Sequence, residues 1–412
     1  MLSAYRVLVQ PPGAKRLIVS VLIGRLPIGI FSLAIVLLVR AETGSFADAG
    51  AASAAWAIGA GVLAPIQGRL VDRFGQPAVL LPSTLLNALA VIGVIVCARN
   101  HASTLALAVF AFLGGAALPP LGACMRSIWA TVFESDPDAR STAYTFEGTV
   151  AELFFILGPV VTTVVIAIGS TQTALIVAIV LSVVGTVSFA TGPLSRDWRG
   201  VIDGTRSAAG ALGSPGIRTL MLAIFPTGIS FGALEVAMPA FAVAHGHQAS
   251  IAGILLSVMA AGSVLGGVWY GARTWTSPLV QRFVSMHVVL ALGTLPLLLA
   301  NSIGLMAAMA LIAGLALAPS AAAGYLLIDH VAPPGTTTEA TTWMMTANVA
   351  GAAAGSAIAG LIVDSADVRW ALALACAGPV VGAIISVRLR DTLRPAASSE
   401  AAEVTASPSR DR

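Results

Sequence analysis

Four ionisable side chains stand deep inside stretches that are otherwise uncharged: Arg25, Glu147, Glu152 and Glu235. A charge at the centre of a membrane-crossing helix costs about 2.5–3.5 kcal/mol on insertion scales. It persists only where a partner charge, a water-filled cavity or a ligand offsets that cost. Arg25 can bind an anionic or polar group, or hold a carboxylate in a structural ion pair, and the two roles are compatible. Glu147 and Glu152 are five positions apart, which sets them about 140° apart around a helix, so they cannot both face one point. Either can pair with Arg25; the reading adopted gives Glu147 as the partner and Glu152 as the proton carrier. In its half of the chain, arginines stand only at the ends of the spans and none lies at the depth of Glu235. It reads as a proton site or a site for a cationic substrate, against the plainer alternative of a neutral acid hydrogen-bonded to backbone. Asn348 is a weaker candidate for substrate contact, and Asn87 reads as a hydrogen bond between packed helices.

The elements that carry these groups follow from composition. Of 412 residues, 57% are hydrophobic and only 10% charged, and the mean hydropathy is +0.91. A soluble domain carries about 25% charged residues. Twelve apolar stretches, each about one bilayer crossing long, fall near 17–39, 50–68, 77–98, 103–127, 142–168, 173–191, 217–243, 250–271, 282–300, 302–328, 340–363 and 369–389. They are continuous rather than alternating, which excludes a β-barrel. The fold class is therefore an all-α membrane protein of twelve transmembrane helices. The first stretch is too long for a signal peptide, contains Arg25 and precedes no small-residue cleavage site, so it reads as a retained helix. Outside the spans, every basic residue except Arg40, Arg99 and Arg369 falls on the side of the two termini. That asymmetry predicts cytoplasmic termini in a cell membrane. It also accounts for the net charge of +3 without nucleic-acid binding.

The chain repeats itself at a constant offset of 199 positions. Leu26-Pro27-Ile28-Gly29-Ile30 matches Phe225-Pro226-Thr227-Gly228-Ile229. Gly115, Ala117, Leu118, Pro120 and Ala123 match Gly314, Ala316, Leu317, Pro319 and Ala322, and Gly68 matches Gly267. Internal repeats of this kind mark many transporters. The expected organisation is a six-helix half over 1–191, a cytoplasmic linker over 192–216, a second six-helix half over 217–390, and a disordered tail over 391–412. Pro27, Pro119, Pro120, Pro159, Pro226, Pro239 and Pro319 remove backbone donors inside spans and are expected to kink them.

Between spans 2 and 3 stands Gly68-Arg69-Leu70-Val71-Asp72-Arg73-Phe74-Gly75. It resembles the loop G-x-x-x-D-[RK]-x-G of the major facilitator superfamily, in the expected place after span 2 of twelve. In such a loop Gly68 and Gly75 permit close approach and a turn. Asp72 can cap a neighbouring helix, and Arg73 can meet helix carbonyls or a carboxylate. The resemblance implies that these four residues stabilise one gated state. Gln76-Pro77 depart from the pattern where a basic pair is usual. Of the span 5 signature of proton-driven drug exporters, only Gly158-Pro159 stands here, and Arg126 is placed at the cytoplasmic end of span 4, not inside it. The resemblance also implies that spans 1, 7 and 11 border a central cavity, so Arg25, Glu235 and Asn348 would line it.

Other classes find little support. With Lys15 as the single lysine there is no phosphate-binding loop. Cys97, Cys124 and Cys376 have neither metal spacing nor a disulfide framework. His245 and His247 in one loop are poor evidence for a metal, and His287 is given no role. An intramembrane enzyme would need several grouped catalytic side chains, so no catalytic residue, metal or cofactor is expected. The sequence reads as a monomeric secondary transporter working by alternating access. Its partners are a small-molecule substrate, protons and the lipid bilayer. Few polar groups in the spans favour export of an amphipathic compound over proton-coupled uptake of a metabolite; a non-transporting receptor is a distant third reading.

Overall fold

Lipid offers a backbone N–H or C=O no partner, so a chain this apolar must satisfy its main chain internally. The computed structural model describes residues 4–199, 210–273, 275–333 and 336–394, and among them there is helix and no strand. Span 1 is α1 (Ala14–Arg25) followed by α2 (Pro27–Thr43), span 2 is α3 (Phe46–Phe74) and span 3 is α4 (Gln76–Arg99). Span 4 is α5 (Thr104–Ala116) then α6 (Leu121–Val132), span 5 is α7 (Pro137–Ile168) and span 6 is α8 (Thr171–Ala190). The short α9 (Pro193–Asp197) opens the connector. Span 7 is α10 (Pro215–Ala244), span 8 is α11 (Ala252–Ala272) and span 9 is α12 (Leu279–Thr294) with a 3-10 extension, Leu295–Leu299. Span 10 is α13 (Ile303–Gly314) then α14 (Leu317–Val331), span 11 is α15 (Thr337–Ser365) and span 12 is α16 (Val368–Arg388). Among the described residues eleven of these are long and apolar enough to cross a membrane, and span 5 adds the shorter apolar stretch Leu157–Ile168.

Polar caps carry the helices beyond their apolar runs. Span 2 begins at Phe46 rather than at 50, because Ser45 is extended (φ −111, ψ 128) and its hydroxyl accepts from the Asp48 N–H at 3.0 Å. Asp136 does the same for the Ala139 N–H at 3.0 Å, so span 5 begins at Pro137 rather than at 142. Each such cap satisfies a donor that a helix start would otherwise leave open. At the other end of the chain, Arg390–Leu393 forms a 3-10 turn with Leu393 fully buried, so ordered structure runs past the expected start of the tail. Most of the expected tail, 395–412, and the connector segment 200–209 lie outside the described residues.

The prolines act unequally. Pro27 separates α1 from α2, and Pro119 and Pro120 separate α5 from α6. Pro226, the repeat mate of Pro27, leaves α10 unbroken, and Pro159 leaves α7 unbroken. Spans 4 and 10 break at matching repeat positions. Gly115 just before one break faces the Trp56 carbonyl of α3, and Gly314 just before the other faces the Met259 carbonyl of α11. A Cβ at either would collide with that backbone. Small residues let helix backbones approach where no hydrophobic drive separates helix from lipid.

One buried cluster is shared by the two groups of six spans. It brings Leu33, Leu37 and Phe46 together with Phe241, Leu255, Leu297 and Ala359. The same end of the molecule, away from Ala14 and Leu393, carries a close contact of α3 with α15. A Cβ on Gly50 would meet the Ser356 carbonyl, and one on Gly360 would meet that of Phe46.

Candidate substrate and coupling site

Arg25 is the last residue of the 12-residue α1, which places it about 16 Å along span 1. The helix starts before the apolar run does, so Arg25 lies deeper than the run implies. Glu147 follows the start of α7 by ten residues, a depth of about 15 Å. Arg25 Nη1 donates to Glu147 Oε2 at 2.7 Å, with Arg25 12% and Glu147 2% exposed. The guanidinium carbon also lies 5.8 Å from the centre of the Phe154 ring. Room for the guanidinium comes from Gly122 on α6, where a Cβ would stand 3.0 Å from Arg25 Cζ. Glu147 Oε1 is buried with no hydrogen-bond partner. Glu152 lies on α7 too, but its side chain is outside the described residues.

The same face of α6 supplies a residue that sequence reasoning set aside. Span 4 continues to Val132 rather than stopping near 127, so Arg126 lies about 9 Å inside the helix end. It follows Gly122 by one turn, on the same face. Arg126 is exposed and close enough to act electrostatically on both Arg25 and Glu147. It makes no hydrogen bond or ion pair among the described residues. The signal available in the sequence was the i, i+4 pairing of Gly122 with Arg126, which becomes informative only once the end of span 4 is known.

Glu235 sits two-thirds of the way along the 30-residue α10, and its partner Ser32 follows Arg25 by seven residues in span 1, a rise of about 10 Å beyond Arg25. It is partly accessible and accepts hydrogen bonds from two serines of the other group of spans. Ser32 of α2 donates to Oε1, and Ser53 of α3 donates to Oε2 at 3.1 Å. Nothing in the sequence marks these serines, because a serine inside an apolar helix is ordinary and its partner is a tertiary choice. Asn348 of α15 places its backbone carbonyl against Gly228 of α10; its side chain is partly exposed and makes no hydrogen bond among the described residues. Asn87 is buried, and its Nδ2 donates to the Gly114 carbonyl at 2.8 Å, tying α4 to α5.

The end of the molecule nearest Glu235 carries a second acid that was not read from the sequence. Asp364, one residue before the end of α15, accepts from the Ser45 hydroxyl at 2.6 Å, the Phe46 N–H at 2.9 Å and the Ala47 N–H at 2.8 Å. Two of these donors are open backbone N–H groups at the start of α3, where the helix dipole also favours an anion. Nearby, the Thr163 hydroxyl of α7 donates to the Ser250 carbonyl at 2.9 Å, ahead of α11.

The loop between α3 and α4 shows a different pattern from the one expected. Gly75 alone separates the two helices, with φ +85, and its N–H closes α3 on the Val71 carbonyl at 2.8 Å. Gly68 has open space around it. Asp72 caps no helix and Arg73 meets no carboxylate among the described residues; both are exposed, and Arg73 lies 5.2 Å from the Phe74 ring centre. These side chains lie at the end opposite the Asp364 contact, and no hydrogen bond or ion pair among the described residues joins them to the second group of spans. Gln76, which replaces a basic residue of the family pattern, is fully buried instead. Its Nε2 donates to the Cys124 carbonyl and Ser127 hydroxyl, both at 3.1 Å, and its Oε1 accepts from Ser195 of α9 at 2.8 Å.

Elsewhere, no group of three or more metal-ligating side chains occurs among the described residues. Cys97, Cys124 and Cys376 are free. His245 and His247 are exposed, whereas His287 is buried between α12 and α14 with its Nδ1 3.2 Å from the Ser320 hydroxyl.

The family model for the Major Facilitator Superfamily matches residues 17–286 and 220–410. Among curated proteins none matches this chain. Three solved structures are similar in fold. A bacterial homologue of the human lysosomal transporter Spinster, inward-facing and unoccupied, has TM-score 0.74 at 14% identity over 94% of this chain and 100% of its own. A variant of the nucleoside transporter NupG has TM-score 0.74 at 13% identity, covering 91% of this chain and 99% of its own. A bacterial homologue of the iron transporter ferroportin, also inward-facing, has TM-score 0.71 at 12% identity over 91% of this chain and 98% of its own.

Proposed function

We propose, from the premise that this chain belongs to the Major Facilitator Superfamily and is a membrane transporter and not an enzyme, that it exports a small amphipathic compound in exchange for protons. The substrate binds between a half over 1–191 and a half over 217–390, which rock about the site in alternating access. Both termini are cytoplasmic in the cell membrane. The protein works as a monomer, with 192–216 as the linker. On this reading the end held together by Asp364 and by the shared apolar cluster is the outer one, and it is closed while these contacts last. The Gly68, Asp72, Arg73 and Gly75 loop makes its gating contacts when the inner end closes.

The observation that carries this reading is the position of Glu235. One carboxylate of the second half accepts hydroxyl donors from two spans of the first. An ionised carboxylate accepts only, and can hold both serines at once. A proton there removes the charge that draws both hydroxyls, so proton binding and closure of the outer end oppose each other. That is the linkage an exchanger needs. Arg25, Glu147, Glu152 and Asn348 line the path on the inner side, with Glu152 as a second proton carrier. The scarcity of polar side chains around these groups supports an amphipathic substrate over a sugar-like one.

The test uses everted vesicles acidified by respiration. Pools of amphipathic compounds are added while lumenal pH is recorded for wild type, Glu235→Gln and Glu152→Gln. The reading expects substrate-triggered proton release that is lost in Glu235→Gln. Proton release that persists in Glu235→Gln removes that carboxylate from the mechanism. Accumulation of a labelled metabolite in whole cells with no release from any pool replaces export with uptake.

A further inference from the structure

We infer that the substrate carries a single anionic group, and that this group seats between Arg25 and Arg126 at the inner level of the cavity. The inference deepens the reading of Arg25 and Glu147 as cavity residues and rests on it. It stands on a charge imbalance with a definite geometry. Among the described side chains, two guanidiniums, Arg25 and Arg126, and one carboxylate, Glu147, come together where α1, α6 and α7 meet. One Glu147 oxygen is taken by Arg25 Nη1 at 2.7 Å. Arg25 keeps its remaining N–H donors, and it is itself partly exposed, at 12%. Arg126, one turn from the Gly122 that borders the Arg25 guanidinium, is exposed and makes no described ion pair. Two positive charges held near one another in a membrane repel, and the arrangement gains most from an anion placed between them. The planar donors of guanidinium suit a carboxylate, phosphate or sulfonate equally well.

The surroundings fix the rest of the ligand. The Phe154 ring stands 5.8 Å from the Arg25 guanidinium, so an apolar surface borders the proposed seat of the anion. An anionic head with an apolar body matches this mixture, whereas a free inorganic anion would use only the arginines. Glu235 is held by Ser32, about 10 Å further along span 1 than Arg25. Head group and proton therefore occupy separate places and communicate through the closure of the halves.

The experiment uses the full chain in nanodiscs of zwitterionic lipid. Binding is measured for three fluorescent probes with one undecyl tail and different heads: a carboxylate, its neutral methyl amide and a primary amine. Wild type should bind the carboxylate at least about tenfold more tightly than either analogue, the worth of one charge-assisted hydrogen bond. Arg126→Gln should reduce carboxylate affinity by about tenfold while leaving the amide unchanged, and Arg126→Lys should restore part of it. Inorganic phosphate at millimolar concentration should compete weakly, and anionic lipid in place of zwitterionic lipid should compete no better than phosphate.

Equal binding of the three heads by wild type overturns the proposal, and this arm does not depend on any variant folding. So does tighter binding of the amine, or strong displacement by phosphate alone. If Glu152 neutralises the site, Glu152→Gln will create a head-group preference that wild type lacks, which also overturns it. The export reading fails separately. Carboxylate binding without substrate-triggered proton release sinks export but keeps the anionic site. Proton release with cationic compounds alone does the reverse.

Discussion

In the proposed orientation, replacing Asp364 by Asn tests how the outer end is held shut. The carboxylate takes three hydrogen bonds, with Oδ1 serving the Phe46 N–H and Oδ2 serving both the Ser45 hydroxyl and the Ala47 N–H. Asparagine keeps one acceptor oxygen of the same size, so at least one of the three bonds is lost. The attraction between a full negative charge and the start of α3 is lost as well. A hydrogen bond to a charged group is worth about 1.5–3 kcal/mol and the helix-end attraction about 0.3–1 kcal/mol. Asp364 is exposed, so solvent screening cuts the sum to about 1–2 kcal/mol. That moves the ratio of outer-open to outer-closed molecules by about 5- to 30-fold. Spin labels at Arg99 and His247, one in each half and both exposed, report the separation of the outer ends once the three cysteines are replaced by alanine. The longer-distance population should rise in Asp364→Asn and rise further in Asp364→Ala. Raising salt should shift wild type in the same direction and leave Asp364→Ala unmoved. Distance distributions that stay the same in both folded variants would refute the clasp as a determinant of the resting state.

Three further outcomes are expected. Gly360→Val places side-chain carbon against the Phe46 carbonyl, so the same label pair should report a wider outer end, and an unchanged distance would mean that α3 and α15 do not meet there. Arg25→Met leaves Glu147 buried without its partner and should lower stability by about 3–5 kcal/mol, whereas Arg25→Met with Glu147→Gln should cost clearly less; thermal melting in detergent compares them, and equal losses would show that the pair is not the source. Gln76→Ala leaves Ser195 buried without its acceptor and should cost about 1–3 kcal/mol, with faster hydrogen exchange in α9; unchanged exchange would disconnect the connector from α4.

Span number and order were readable because hydropathy over 20 residues is set by composition and needs no tertiary information. What could not be read was decided by contacts between distant segments. Pro27 and Pro226 occupy equivalent repeat positions, yet only the first ends a helix. The proline alone therefore does not decide whether the helix breaks. The ends of spans 2 and 5 were placed late because Ser45 and Asp136 were not read as caps, although Ser45 followed by Asp48 carries the N-terminal pattern. The four deep ionisable groups stood out because any charge in an apolar run does. Their partners Ser32 and Ser53 did not, and Asp364, just past the apolar run of span 11, gains its meaning only from donors on α3 and the residue before it. Arg126 was placed at a helix end because the apolar run stops before the helix does.

The Asp364 contact has a consequence for how this protein can change over generations. The first half contributes two main-chain N–H groups and one serine hydroxyl, and the second half contributes a single side chain. Nearly any codon change in the Phe46–Ala47 stretch leaves the main-chain donors in place, while almost every change at position 364 removes the acceptor. Genetic selection for altered resting orientation should therefore return hits on one side of the clasp and few on the other. The 199-residue repeat relates the two groups of six spans, but in this element they carry unequal mutational risk.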